Sequence, residues 1–270
     1  AGARPGVDPE ADAPETRARY RRILRFAAWN LAATRRYELF LPRVGLRRIA
    51  DGTGTPRLTL FPRRALVLVD VQQEYFAGPL EIRHPDPALS VRVIGRAIDA
   101  ATEAGIPVVV VQHDSGAGAP VFDPTTDAFR LHPELESRRT EAWKAVTKSK
   151  GSVFAGTDLV EWVRAEGVDT ITLVGYMTNN CILASSVEAE GLDIAAEVLS
   201  DATGAIAIAN AAGSVDAATV HGTLMALLHS NFAAVATTDA WIAAVAAGEA
   251  LPKDGLATSA TAGAARFGTV

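Results

Sequence analysis

The sequence predicts an α/β fold: a three-layer sandwich with a mainly parallel, doubly wound sheet, preceded by a helical N-terminal arm. From residue 65 onward, short apolar runs rich in valine and isoleucine alternate with longer stretches of helical periodicity. That alternation is typical of parallel strands joined by crossover helices. The chain has 270 residues and is 49% hydrophobic, so it can bury one large core and still carry an appendage.

The N-terminal arm is distinguished by its charge. Residues 1–64 contain fourteen arginines and six acids, a net charge of +8, whereas residues 65–270 carry a net charge of −13. Apolar residues recur at helical spacing within 17–36, namely Tyr20, Ile23, Leu24, Ala27 and Leu31. We therefore expect a basic arm over 1–64 with a helix that packs on the acidic body, within or across a subunit boundary. Contact with nucleic acid or an anionic membrane is the alternative.

The first half of the body begins with a strand at 65–70, a continuous apolar run that ends in a carboxylate. A helix at 88–105 closes on a glycine, and a second buried strand follows at 107–112. Glycines and prolines break up residues 113–147, where we predict a loop with a short turn at 126–131. A loop of this length inside a compact domain is more often functional than accidental.

The second half of the body repeats the alternation. The predicted elements are a helix at 157–167, a strand at 170–175, a helix at 179–191, a strand at 193–199, a helix at 215–230 and a strand at 233–237. We place the end of the body at residue 243. The tail, 244–270, is rich in alanine, glycine and threonine, so we expect it to be loosely ordered.

Reactive side chains follow three of these predicted strands. Asp70 ends the first strand, His113 and Asp114 follow the second, and Cys181 follows the strand at 170–175. In open parallel sheets the ligand site lies beyond the carboxyl ends of the strands. These side chains form one site if their strands are neighbours in the sheet.

Cys181 is the one cysteine of the sequence, so it cannot form an internal disulfide. It lies where the strand at 170–175 turns into a helix, and a thiol at a helix N-terminus faces unpaired N–H groups that favour the thiolate. We therefore expect a lowered pKa and a nucleophilic role. The alternative is a small buried hydrophobic residue, because most free cysteines are of that kind.

Three motifs share the order and spacing of a known family: Asp70-Val71-Gln72, the segment 148–154 (KSKGSVF) and the segment 175–181 (GYMTNNC). Together, over 65–240, they resemble the isochorismatase-like cysteine hydrolases, specifically the amidohydrolase branch. The resemblance implies a parallel sheet between helices and a triad of Asp70, Lys148 and Cys181. It selects Lys148 over Lys144 and Lys150, which we interpret as solvated loop charges.

The resemblance also implies a mechanism. Asp70 would accept the thiol proton and later act as acid and base, Lys148 would stabilise the thiolate, and Cys181 would form a thioester. The backbone N–H groups of Met177 and Cys181 would form the oxyanion hole, with a cis peptide between Tyr176 and Met177. The expected activity is hydrolysis of a C–N bond in a small amide, lactam or ureido compound.

Departures from the family pattern narrow this expectation. Metal-dependent nicotinamidases of the family have a loop aspartate and histidine with Asp-x-His spacing, whereas residues 112–116 here read QHDSG. We therefore expect no metal and no cofactor. Isochorismatases that cleave a vinyl ether usually lack the cysteine. The alternatives are a non-catalytic binding or assembly protein with this fold, and a metal-dependent nicotinamidase.

The segments 70–76 (DVQQEYF) and 78–80 (GPL) are similar to a bacterial branch that includes streptothricin hydrolases, which open a lactam. The residues predicted to contact substrate are Gln72, Glu74, Tyr75, Phe76, His113, Phe122 and Tyr176, with Phe129, His132 and Met177 as further candidates. For the aromatic residues the alternative is core packing, and for His132 it is a loop hydrogen bond. Glu74 could instead orient Lys148 or be an exposed loop acid, and we interpret His221 and His229 as structural.

Composition also bears on location and partners. No uninterrupted apolar run of about eighteen residues occurs, and the acidic N-terminus has no hydrophobic signal core. With a lone cysteine, this favours a cytoplasmic protein. We expect a small-molecule substrate, no nucleic acid, no membrane, and a homo-oligomer, dimer or tetramer, with the arm at the subunit interface.

Overall fold

The computed structural model describes residues 46–50 and 56–268. The chain divides into two compact units, Ala1–Leu60 and Phe61–Val270. In the first unit, β1 (Leu46–Ala50) and β2 (Pro56–Leu60) form an antiparallel pair in which Arg48 lies opposite Leu58. The helix predicted within 17–36 lies outside the described residues.

The second unit is built on a sheet of six parallel strands in the order β10-β7-β6-β3-β4-β5. These strands are β3 (Arg64–Val69), β4 (Val108–His113), β5 (Lys144–Lys148), β6 (Thr170–Tyr176), β7 (Ala195–Gly204) and β10 (Ala234–Ala236). A separate antiparallel hairpin consists of β8 (Ile208–Asn210) and β9 (Gly213–Val215).

Helices connect the strands. The α-helices are α1 (Pro87–Glu103), α2 (Pro133–Glu136), α3 (Leu159–Ala165), α4 (Leu183–Gly191), α5 (Ala217–Leu227), α6 (Thr238–Ala247) and α7 (Leu256–Phe267). Short 3-10 turns occur at Gln73–Tyr75 and Asp127–Phe129, and π-helical turns occur at Thr178–Ile182 and Leu228–Phe232. Within the described part of the chain, no helix is both long enough and apolar enough to cross a bilayer.

The sheet separates two hydrophobic cores, and β3 contributes to both. Leu66 and Leu68 lie in the core shared with α1 and α6, whereas Val67 and Val69 lie in the core shared with α3 and α4. This division follows from the two-residue period of a strand, which sends successive side chains to opposite faces. Helices cover both faces, and the predicted three-layer, doubly wound α/β fold is confirmed.

Three segments differ from the sequence prediction. Residues 113–147 contain α2 and the start of β5, whose alternating burial is that of an edge strand rather than an apolar run. The strand predicted at 193–199 continues to Gly204.

The tail, 244–270, was expected to be loosely ordered, but it contains the end of α6 and the whole of α7. Alanine recurs through Leu256–Phe267 and has the highest helix propensity of any residue. The alanine-rich composition that suggested loose order therefore accompanies a helix here.

Candidate active site

The sheet order brings the predicted site residues to one edge. Strands β6, β3, β4 and β5 are consecutive neighbours, and Cys181, Asp70, His113 and Lys148 lie at or just beyond their carboxyl ends. The condition stated for a shared site, that these strands be adjacent, is met. Parallel strands present their carboxyl ends on the same side, where α/β proteins place their ligands.

The Lys148 side chain occupies the centre of this edge. Its Nζ lies 2.6 Å from Asp70 Oδ2, and it donates to Cys181 Sγ at 3.3 Å, to His113 Nδ1 at 3.0 Å and to the Lys150 carbonyl at 3.1 Å. The Asp70 and Lys148 side chains are both 0% exposed. One buried ammonium thus contacts the carboxylate, the thiol and the imidazole.

Asp70 is a buried carboxylate with few partners of its own. Neither Oδ1 nor Oδ2 has a hydrogen bond of acceptable geometry among the described residues, although Oδ2 forms the ion pair with Lys148. Burial raises the pKa of Asp70 above its ordinary value, and the Lys148 charge opposes that effect only in part. The backbone of Asp70 is left-handed, with φ of 50°. Its oxygens are therefore free to accept a proton or a substrate N–H group.

The environment of Cys181 differs from the sequence expectation. The residue lies inside the π-helical turn Thr178–Ile182 and is 2% exposed. Burial, and next the nearby Asp70 carboxylate, raise the pKa of Cys181 to about 12, even though Lys148 acts in the opposite direction. One ammonium cannot offset two buried anions, so the substrate-free site holds a neutral thiol and not the expected thiolate.

The turn that carries Cys181 is packed tightly against the strand that carries Asp70. Gly175 lies opposite Val69 in the sheet and has φ of +106°. A Cβ at Gly175 would lie 2.1 Å from the Val69 carbonyl oxygen, so no other residue fits there without a backbone shift. The next peptide, between Tyr176 and Met177, is cis.

Ser185 links the cysteine turn to the loop that follows Lys148. Its hydroxyl donates to the Cys181 carbonyl at 2.6 Å and accepts from the Val153 N–H at 3.0 Å. Sequence reasoning missed this residue. Its position four residues after Cys181, on the same helical face, was the available signal.

Gln72, which was predicted to contact substrate, forms its side-chain hydrogen bonds with the protein backbone. Its Oε1 accepts from the His113 N–H at 2.8 Å, and its Nε2 donates to the carbonyls of His113 at 3.1 Å and Phe129 at 2.9 Å. The side chain is fully buried. Because both N–H groups and the oxygen of the amide are engaged, Gln72 positions His113 and has no donor left for a ligand.

His113 is neutral in this setting. Burial, and next the Lys148 charge, lower its pKa to about 4. Because Nδ1 accepts from the Lys148 ammonium, the ring proton lies on Nε2. The His113 ring packs against Phe122, with centroids 4.7 Å apart. The imidazole therefore offers a hydrogen-bond donor at the half-buried side of the site.

Glu74 is buried, and its Oε2 accepts from the Phe122 N–H at 3.1 Å. It is therefore neither an exposed loop acid nor, among its hydrogen bonds, a partner of Lys148. The carboxylate fixes the backbone of Phe122, which has φ of 56°. Glu74 thus supports the aromatic wall beside His113.

Two further residues predicted to contact substrate, Tyr176 and Tyr75, are buried. Tyr176 is fully buried, and its hydroxyl bonds to Ser90 of α1 at 2.7 Å, so its ring packs in the core. Tyr75 is buried among charges, and its pKa is raised well above 10 by burial, and next by Cys181 and Asp70. Its phenol therefore remains protonated.

His132 has the loop hydrogen bond that was the alternative for it. Its Nδ1 accepts from the Glu134 N–H, and its ring lies 4.3 Å from the ring of Phe76. Phe129 contributes its carbonyl, which accepts from Gln72 and from Gln112. These residues stabilise the loop beyond β4.

The histidine on α5 supports the nucleophile turn from behind. His221 Nδ1 lies 3.0 Å from the Thr178 hydroxyl, and Nε2 lies 3.0 Å from the Ser200 carbonyl. Thr178 is fully buried and begins the turn that carries Cys181. His229 accepts from the Val235 N–H. Both histidines have the structural positions expected for them.

The two other lysines of this segment are solvent-facing. Lys144 pairs with Asp158 at the surface, and Lys150 is exposed and contributes only its carbonyl to the site. Of the three lysines in this segment, Lys148 is the one whose ammonium lies in the site.

Atoms of metal-ligand type also meet here. One atom from each of Asp70, His113 and Cys181 lies within 4.8 Å of the other two, and no second group of this kind occurs among residues 46–50 and 56–268. The Lys148 ammonium contacts all three side chains.

Comparison with known proteins finds a family match over most of the second unit. The isochorismatase domain model matches residues 64–240. A candidate isochorismatase from Burkholderia xenovorans LB400 has a similar crystal structure, with a TM-score of 0.74 and 43% sequence identity, over 77% of this chain and 100% of that one.

Two relatives with named activities are also similar to this chain. The streptothricin hydrolase of Streptomyces noursei is 29% identical over 51% of this chain and 53% of its own length. The maleamate amidohydrolase of Pseudomonas putida KT2440 is 27% identical over 52% of this chain and 71% of its own length.

Proposed function

The chain belongs to the isochorismatase domain family, and on that premise we propose that it is a cysteine amidohydrolase that cleaves a C–N bond of a small amide, lactam or ureido compound. One observation carries the proposal: the buried Lys148 ammonium contacts both Asp70 and Cys181 at the ligand edge of the sheet. The names of its relatives, a streptothricin hydrolase and a maleamate amidohydrolase, support the amide-type substrate.

In the first half of the reaction, the Cys181 thiol attacks the substrate carbonyl carbon while its proton passes to Asp70. General-base attack is required because burial raises the pKa of the resting thiol to about 12. Asp70 can take the proton, since its oxygens have no other hydrogen bond among the described residues and its own pKa is raised. The protonated Asp70 then donates to the leaving nitrogen, the C–N bond breaks, and a thioester remains.

In the second half, the ionised Asp70 removes a proton from water, and the resulting hydroxide attacks the thioester carbonyl. The C–S bond breaks, the acid leaves, and the proton returns to the Cys181 sulfur. Lys148 keeps its proton throughout and balances the single negative charge, which moves from Asp70 to the reacting atoms and back. The buried site therefore never carries two uncompensated charges.

The oxyanion that forms in each half needs fixed donors. We assign this role to the backbone N–H groups of Met177 and Cys181. In support, the Met177 N–H makes no hydrogen bond to any described residue. A donor left free beside the nucleophile costs little reorganisation when charge develops on the substrate oxygen.

The groups around the cleft favour a small, planar substrate. The rings of Phe122 and His113 form one wall, and the Nε2–H of His113 is a donor for a substrate carbonyl or ring acceptor. Glu74 holds the Phe122 backbone in place. We therefore propose His113 and Phe122 as substrate contacts, with Phe76 and Tyr75 as their neighbours.

Trapping the thioester tests the proposal. A panel of small amides, lactams and carbamoyl compounds is screened for release of ammonia or amine, and the active compound is then mixed with the parent protein and quenched with acid within the first turnover. We expect intact-mass analysis to show one acyl adduct, which is assigned without ambiguity because Cys181 is the one thiol of the chain. Cys181→Ala should form no adduct and should have no turnover.

The matched control is Lys144→Ala, which removes a surface lysine of the same strand. It should turn over substrate as the parent protein does, and EDTA should not reduce the parent rate. Turnover by Cys181→Ala, or EDTA inactivation that added metal reverses, would overturn the proposal.

A further inference from the structure

Four acceptor atoms surround the Lys148 ammonium, although an ammonium has only three N–H groups to donate. They are Asp70 Oδ2 at 2.6 Å, His113 Nδ1 at 3.0 Å, the Lys150 carbonyl oxygen at 3.1 Å and Cys181 Sγ at 3.3 Å. We call these four atoms the Lys148 shell. The shell offers more lone pairs than its present cation can satisfy.

The side-chain members of the shell are all zinc ligands. Carboxylate oxygen, imidazole nitrogen and thiolate sulfur bind Zn²⁺ at about 2.0–2.3 Å, so ligand atoms in a tetrahedral site lie about 3.3–3.8 Å apart. In this protein the corresponding atoms of Asp70, His113 and Cys181 lie within 4.8 Å of one another. A contraction of at most about 1.5 Å would bring them to zinc distances.

Two independent observations point to a cation that attracts more strongly than an ammonium. The first is that both oxygens of the fully buried Asp70 have no hydrogen bond of acceptable geometry within the described ranges. The second is the orientation of His113, whose Nδ1 lone pair already faces the centre of the shell. The Gln72 amide holds His113 in place from the other side.

We propose that the Lys148 shell binds a Zn²⁺ ion in place of the ammonium, with Asp70, His113 and Cys181 as ligands and the Lys150 carbonyl or a water as the fourth. The Lys148 side chain leaves as the ammonium, and the Cys181 thiol releases one proton. The exchange conserves buried charge: a carboxylate and an ammonium are replaced by a carboxylate, a thiolate and a dication.

Zinc bound here inhibits, because it occupies the sulfur lone pair and the carboxylate that the proposed reaction uses. That consequence rests on the proposed function, whereas binding to the shell does not. The displaced Lys148 competes with the metal, so removing it should tighten binding.

Cobalt(II) titration tests the binding, because Co²⁺ occupies zinc sites and a thiolate–cobalt bond gives a charge-transfer absorption band in the near ultraviolet. We expect Lys148→Leu to bind one Co²⁺ with this band, at least tenfold more tightly than the parent protein, and to lose the band when Zn²⁺ is added. The matched control, Lys144→Leu, should bind Co²⁺ as the parent does.

Two second-site variants identify the ligands. In the Lys148→Leu background, Cys181→Ser should remove the absorption band, and His113→Asn should weaken Co²⁺ binding at least tenfold. Lys148→Leu without a thiolate band, or with an affinity that His113→Asn does not change, would overturn the proposal. If Lys148→Leu does not fold, the parent protein titrated with and without Cys181→Ser decides the same question.

The activity measurement is kept separate. We expect Zn²⁺ to inhibit parent turnover and EDTA to restore it. A cobalt band without any amide turnover would support metal binding and overturn the proposed function. Amide turnover that Zn²⁺ does not inhibit, together with no cobalt band, would overturn metal binding alone.

Discussion

Strand β3 carries a buried charge at each end, and the two resulting ion pairs differ in how fully they are hydrogen-bonded. Arg64, its first residue, pairs with Glu197, and Asp70, directly after its last residue, pairs with Lys148. Both pairs are almost completely buried. Any difference in their chemistry therefore comes from their partners and not from their depth.

The pair of Arg64 and Glu197 is saturated, meaning that both side chains have several hydrogen-bond partners. Arg64 donates to both Glu197 oxygens at 2.8–3.1 Å and to the Glu249 carbonyl at 2.7 Å. Glu197 Oε2 also accepts from the Thr172 hydroxyl at 2.8 Å and from Trp241 Nε1 at 3.0 Å. Both charged groups of this pair therefore have several hydrogen-bond partners.

The Asp70 pair is unsaturated, as its two oxygens have only the ion contact with Lys148. Burial consequently raises the pKa of Asp70, and the same burial keeps the neighbouring Cys181 thiol neutral. A buried carboxylate with many hydrogen-bond donors, such as Glu197, is thus less able to take up a proton than one with few, such as Asp70.

Removing the cation of each pair should separate stability from activity. We expect Arg64→Met to lower the free energy of unfolding by about 3–5 kcal/mol, because Glu197 is left as a buried charge without its cation. Lys148→Met should lower it less, because burial raises the pKa of Asp70 and this carboxylate can take up a proton when its cation is removed, yet the variant should abolish turnover. Urea denaturation and turnover per folded molecule measure the two effects. Equal loss of stability in both variants would contradict the comparison.

Removing both charges of a pair should give opposite signs at the two ends of β3. The double variant Asp70→Asn, Lys148→Met should be more stable than the parent by about 1–4 kcal/mol, as for other buried pairs replaced by neutral groups. Arg64→Met, Glu197→Gln should instead be less stable by about 1–3 kcal/mol, because Trp241, Thr172 and the Glu249 carbonyl lose charge-assisted bonds. Urea midpoints decide the sign in each case. Stabilisation of both double variants would show that saturation is not the deciding factor.

The smallest expected effect is on the pH dependence of stability. His113 has a pKa of about 4 in the folded protein against an ordinary value of 6.5, so between these values the unfolded chain binds the proton and the folded chain does not. The stability contributed by the neutral ring is therefore complete above pH 6.5 and decreases as the pH falls towards about 4.

His113→Asn should make the melting temperature less dependent on pH across this interval. Burial also lowers the pKa values of His132 and His221, so part of the slope should remain. His229→Asn is the matched control, because His229 lies beside β10, the edge strand opposite to β5. An unchanged slope in His113→Asn would indicate that burial and the Lys148 charge do not hold His113 neutral.

The sequence was sufficient for the elements and residues with a strong local signal. Continuous apolar runs located β3, β4 and β6, and the residues at their ends gave Asp70, His113 and Cys181. Strand β5 was not predicted, because it lies at the sheet edge and buries only alternate residues. Lys148 was therefore identified from the motif at 148–154, which resembles that of a known family.

The rest of the site depends on contacts between residues distant in the sequence, which could not be predicted from the sequence alone. In the sequence, nothing distinguishes Gln72 from other polar residues. In the structure, its amide bonds both the N–H and the carbonyl of His113. Helix position predicted a lowered pKa for Cys181, but the depth of burial and the proximity of Asp70 reversed the sign. Tyr176 lies next to the nucleophile turn in the sequence but faces α1 in the fold.

Gln72 has a consequence for how this enzyme can diversify. Its single amide bonds the backbone at both ends of the segment 113–129, at His113 and at Phe129. The intervening residues, Phe122 among them, can change in length and composition while His113 keeps its position beside Lys148. If Phe122 contacts substrate as proposed, residues 114–128 are the segment to randomise when new substrates are sought.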